Sequence, residues 1–115
     1  MQSYKDVCKN KDCVWFEINQ NEGEKFLNWA KILGCVWLNG KEIEPQKDAN
    51  FLHYSIRSDG KLANVPTFIW LAKDPKFENI ERYVFCEYIK GKKVVPKSHM
   101  YLIIVIEKAT LFGFK

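Results

Sequence analysis

The feature that most constrains this chain is a single amphipathic stripe. Phe26, Trp29, Ala30 and Leu33 recur at i, i+3, i+4 and i+7, while Lys25, Asn28 and Lys31 fall on the opposite side. That spacing lines one face of an α-helix. The stripe also has a start and a stop. Asn21 is placed to accept from first-turn N–H groups, and Glu24, three residues on, can reach back to the cap. Gly34 supplies the left-handed residue that ends a helix. The pattern predicts a helix over 22–33, with an apolar face that must be buried against something else.

The rest of the chain offers strands for that purpose. Residues 13–18 are rich in β-branched and aromatic side chains, as strands are. Residues 35–38 read as a second strand, followed by Asn39-Gly40, both tolerant of positive φ. This predicts a type I′ hairpin with 41–43 as a short return strand, stopped by Pro45. Residues 44–50 read as a polar loop. Strands are expected at 51–56, at 61–63 as a short edge after the Ser58-Asp59-Gly60 turn, at 67–71, at 82–89 and at 101–107. One helical turn fits 75–81, and residues 1–11 read as a polar lead-in. The expected fold is α+β, a mostly antiparallel sheet with one main helix over 22–33 packed on one face. The 115 residues suffice for one core, and no repeat or linker divides them, so residues 1–115 are expected to form a single domain. Seventeen aromatic residues exclude a disordered chain.

Charge is uneven along the sequence. Residues 1–89 carry twelve basic and thirteen acidic side chains, whereas residues 90–115 carry six lysines against Glu107 alone. Lys90, Lys92, Lys93 and Lys97 concentrate the excess, with Tyr83, Phe85, Tyr88 and Tyr101 nearby. Lysines track phosphates and bases stack on aromatic faces, so a nucleic-acid or nucleotide site in the 90–101 region is one reading. The other is that these lysines keep neighbouring apolar strands soluble. Only two arginines are present, which disfavours bidentate readout of guanine.

Reactive chemistry finds little footing. Cys8 and Cys13 are spaced C-x4-C, but Cys35, Cys86, His53 and His99 stand alone. A structural zinc site needs four ligands, usually as two close pairs. No metal is therefore expected, a Cys8/Cys13 site completed by a distant histidine being the alternative. There is no Gly-rich phosphate loop, no G-x-S-x-G and no H-E-x-x-H. The expectation is a protein without catalytic residues or cofactor. The longest apolar run, 101–106, is six residues, and the first residues lack the apolar core of a signal peptide. A membrane span needs about 18–20. A cytoplasmic protein without a membrane partner is expected. Of the four tryptophans, Trp37 beside the Asn39-Gly40 turn is best placed to reach the surface and anchor an interface.

Residues 26–41 run FLNWAKILGCVWLNGK. This stretch resembles a module of small accessory proteins of phages and prophages of low-GC Gram-positive bacteria, in which a short helix runs into a W-x-(S/N)-G hairpin. The resemblance covers about residues 13–45 and contains no catalytic group. Such proteins include inhibitors of host defences, anti-CRISPR proteins among them, and proteins that sequester small molecules. It implies a small non-enzymatic binding protein that occludes a host protein or protein–nucleic acid complex in the host cytosol. The residues expected to meet the partner are Trp37, Asn39, Lys41, Tyr88, Lys90, Lys92, Lys93, Lys97 and Tyr101.

Overall fold

The computed structural model of the chain describes residues 2–96. The elements run α1 Tyr4–Cys8, β1 Cys13–Glu17, α2 Gly23–Ile32, β2 Val36–Trp37, α3 Pro45–Asp48 and β3 His53–Arg57. They continue with β4 Lys61–Asn64, α4 Thr67–Trp70, α5 Pro75–Glu78, β5 Arg82–Val84 and α6 Phe85–Tyr88. The five strands form one sheet in the order β2-β4-β3-β1-β5. Strands β1 and β3 pair antiparallel, as do β3 and β4. Strands β1 and β5 are parallel, and so are β2 and β4. The fold is thus α+β, but the sheet is mixed rather than mostly antiparallel. Both outer strands reach their neighbours through connections long enough to reverse the chain twice.

Register explains which residues lie where. Val14 faces Ile56, Phe16 faces Tyr54 and Tyr83, and Leu62 faces Ile56, so these residues share one face of the sheet. Helix α2 covers that face. Phe26 stacks on Tyr54 with centroids 4.9 Å apart and meets Phe85 edge-on at 5.0 Å. Leu27, Ala30 and Leu33 complete the contact, as the periodicity requires. The opposite face, carrying Trp15 and Arg82, is covered by short helices: Trp70 of α4 stacks on Trp15 at 5.8 Å and Phe77 of α5 lies 6.0 Å from it. Val14, Trp15 and Phe16 are all buried because β1 has both faces covered.

Several expectations fail for definite reasons. Residues 67–71 form a helical turn, not a strand. A strand would put Phe68 and Trp70 on one face, whereas Trp70 is fully buried and Phe68 is 74% exposed. Strand β5 stops at Val84, and α6 follows. An extended run would point Tyr88 away from Tyr83; the helix brings the two rings to 5.4 Å. Residues 61–63 belong to β4, an inner strand rather than an edge. Residues 4–8 of the expected lead-in are α1, whose Asp6 carboxylate accepts from the Ser3 N–H at 2.7 Å and which buries Val7 and Cys8. Residues 45–48 of the expected loop are α3. Helix α2 starts at Gly23 with Glu22 at its cap and no side-chain bond there, so the Asn21 capping box does not form. Its position is set by the buried face instead. The one turn expected within 75–81 is present as α5, capped by Asp74. The expected strand 101–107 lies outside the described residues.

Candidate functional site

Among the exposed apolar side chains, Leu38 and Phe51 line a formed groove. Strand β2 is only two residues long. It is followed by a tight turn in which Gly40 N–H donates to Trp37 O at 2.7 Å and Trp37 N–H donates to Lys41 O at 2.9 Å. Gly40 has φ +85°, and among the described residues the only non-glycine with positive φ is Lys9. Asn39 therefore does not take the conformation a type I′ turn demands; the bond pattern is that of a type I turn with a glycine bulge. Residues 41–43 form no return strand; Ile43 is buried in the core instead.

Trp37, Leu38 and Asn39 from this turn form one wall of a groove of about 550 Å³. Leu62, Ala63 and Asn64 at the end of β4 form its base, and Asp48, Asn50 and Phe51 close the far side. Leu38 is 54% exposed and Phe51 45%, and the adjoining Leu52 is exposed as well. The aromatic part is braced from the core. Tyr54, fully buried, lies 6.3 Å from Trp37 and 6.2 Å from Phe51. Its hydroxyl accepts from the Phe51 N–H at 3.3 Å. Asp48 fixes Trp37 from the other side: its Oδ2 accepts from the indole Nε1–H at 2.9 Å and from the Glu44 N–H at 2.9 Å. These bonds, the Glu44 amide first, hold the Asp48 carboxyl below its ordinary range. Asp48 is the one charged side chain among the residues lining the groove.

The expected contact residues fall into separate places. Trp37 and Asn39 are in the groove; Lys41 is exposed beyond it, its N–H donating to Asn39 Oδ1 at 3.0 Å. Tyr88 packs inward, edge-on to Phe16 at 5.1 Å. Lys90, Lys92 and Lys93 are exposed, and Lys93 lines a different depression with Tyr88, Ile89 and Gly91. Lys97 and Tyr101 lie outside the described residues. Leu38, Asp48, Asn50, Phe51 and Asn64 gave no sign of a site in the sequence, apart from the apolar pair Phe51-Leu52 that follows a polar segment.

Arg82, 3% exposed, sits between Trp15 and Trp70 at 4.6 and 4.9 Å and donates to the Trp70 and Phe77 carbonyls. Burial pulls its pKa down to about 10, which still leaves it charged at neutral pH. Burial pushes the Cys8 thiol up to about 11 and Cys35 to about 12, and raises Cys13. None of these three is a thiolate at neutral pH. Among the described residues no three His, Cys, Asp or Glu side chains are grouped to hold a metal ion, and no helix is long and apolar enough to cross a membrane. No family model, curated protein or solved structure matches the chain.

Proposed function

We propose that this chain is a non-enzymatic binding protein that engages a partner protein through the Trp37 groove. The observation that carries this reading is the juxtaposition of exposed Leu38 and Phe51 with a Trp37 ring held from behind by Tyr54 and from the side by Asp48. Rigid aromatic anchors flanked by exposed apolar side chains are what interface centres are made of. Inhibition of a host defence complex by occlusion, the form implied by the resemblance of residues 26–41, would use this surface. The nucleic-acid reading gains less support, because Tyr88, although it borders the Lys93 depression, packs its ring on Phe16 and Tyr83.

The test is a photo-crosslinking residue placed at Leu38, with Ile32 as the control. Ile32 is 70% exposed and is not among the groove residues. In an extract of the source cells, a discrete protein adduct is expected at Leu38, absent at Ile32 and lost with Phe51→Asp. Equal labelling at both positions, or adducts removed by nuclease, would overturn the reading.

A further inference from the structure

Among the described residues, the base of the groove is an open rung of the sheet. On the β3 side, Val65 N–H donates to His53 O at 2.9 Å, and Tyr54 faces Asn64. Antiparallel pairing alternates, so Ala63 and Val65 bond toward β3 while Leu62 and Asn64 turn their N–H and C=O the other way, toward β2. Leu62 is used there: Leu38 N–H donates to Leu62 O at 3.0 Å. Strand β2 then ends at Trp37 and the chain turns away. The next rung, Asn64 N–H to Leu38 O, is not made, and no described residue bonds the Asn64 main chain on that side. A pair of ladder groups thus faces a groove whose walls carry Trp37, Leu38 and Phe51 beside Asn39 and Asn50, with Asp48 as its one anionic side chain. Both hydrogen bonds to Asp48 fall on Oδ2, which leaves Oδ1 without a bond among the described residues.

We propose that the groove takes an extended segment of the partner protein, laid along the end of β4 where β2 leaves off. Its backbone bonds the Asn64 N–H and C=O, an apolar side chain packs on Trp37, Leu38 and Phe51, and a lysine or arginine meets Asp48. This rests on the groove being the partner surface. Strand addition of this kind draws affinity from main-chain bonds and selectivity from alternate side chains. A helix docked in the groove would leave the Asn64 groups unsatisfied, and an acidic segment would meet Asp48 with like charge.

Short randomised peptides displayed against the full chain provide the test, with a Leu38→Asp chain as the counter-selection. Enriched peptides are expected to lack proline and to carry an apolar residue flanked by Lys or Arg. Methylating the backbone nitrogen that bonds Asn64 should weaken binding about tenfold or more. Asp48→Asn keeps an oxygen for the Trp37 indole and should erase the preference for Lys or Arg over Gln. The Asn64 amide should exchange at least about tenfold faster than that of Ala63 in the free chain and slow on binding. No enrichment, helical or acidic consensus sequences, or indifference to N-methylation would overturn the proposal. So would concentration-dependent self-association blocked by Leu38→Asp, which makes the occupant a second copy. If Leu38 still crosslinks to a folded protein while peptide selection fails, the extended-segment inference falls and the groove reading stands. If peptides bind as described but the Leu38 crosslink is lost, the groove accepts extended segments and the reading of it as the cellular partner surface falls.

Discussion

The turns at 37–41 and 57–61 are built alike and placed differently. The first reads Trp-Leu-Asn-Gly-Lys, the second Arg-Ser-Asp-Gly-Lys. Gly40 N–H donates to Trp37 O, and Gly60 N–H donates to Arg57 O. Lys41 N–H donates to Asn39 Oδ1 and Lys61 N–H to Asp59 Oδ1, both at 3.0 Å. The glycines share a φ of +85° and +84°. Yet the second turn joins β3 to β4 in a ladder, while the first releases the chain toward Pro45 and leaves a groove beside it. A Cβ on Gly40 would meet nothing within 4 Å, whereas one on Gly60 would come to 3.0 Å from the Tyr4 ring. Local chemistry builds the turn; its neighbours decide whether it is a corner of the core or the lip of a surface.

The largest effect should follow Gly60→Ala, which strains a left-handed position and displaces Tyr4, together costing about 2–3 kcal/mol. Urea denaturation measures it, and a cost no larger than that of Gly40→Ala would break the contrast. In a Tyr4→Ala background the Gly60→Ala cost should fall by about 1 kcal/mol, a coupling that a double-mutant cycle isolates. Gly40→Ala should cost about 1–2 kcal/mol from backbone strain alone, with no coupling to Tyr4. Smaller and similar losses, about 0.5–1.5 kcal/mol, are expected from Asn39→Ala and Asp59→Ala, since each removes the bond to the lysine N–H of its turn; Asp59→Ala also removes the half-exposed pair with Arg57, which adds little, so a large inequality would show that the two turns differ locally after all.

The smallest effect is one of pH and belongs to the first turn alone. The folded-state pKa of Asp48 is depressed, so the ionised form is the one that the fold favours. Its contribution is present above the ordinary carboxylate range and is lost as pH falls through the lowered folded-state value. The Trp37 indole N–H resonance should hold steady from neutral pH down to about pH 4 and shift only below it. Asp48→Asn should abolish the shift. A transition near neutrality would mean that another group holds the indole.

Much of the fold was open to inspection in the residues. The stripe of Phe26, Trp29, Ala30 and Leu33 places a helix within a residue or so of Gly23–Ile32 because its period matches one secondary structure only. Gly40 and Gly60 mark turns because few other residues take positive φ. Thr67–Trp70 and Phe85–Tyr88 misled, because β-branched and aromatic runs favour strands wherever packing does not intervene. There the need to bury Trp70 against Trp15, and Tyr88 against Phe16, overrode propensity.

The groove was legible only at Trp37 and Asn39. Asp48, Phe51 and Asn64 are eleven or more residues away in sequence from Trp37, and nothing local links them to it. Sequence by itself determined what depends on neighbours along the chain: the helix period and the turn glycines. Tertiary structure alone decided what depends on neighbours in space. The strand order β2-β4-β3-β1-β5 sets Trp37 beside Leu62, brings Phe51 and Asp48 across from it, and leaves the Asn64 main chain facing outward where β2 ends. A backbone hydrogen bond carries no side-chain signature, so a rung left unpaired among the described residues shows only once the neighbouring strands have been placed.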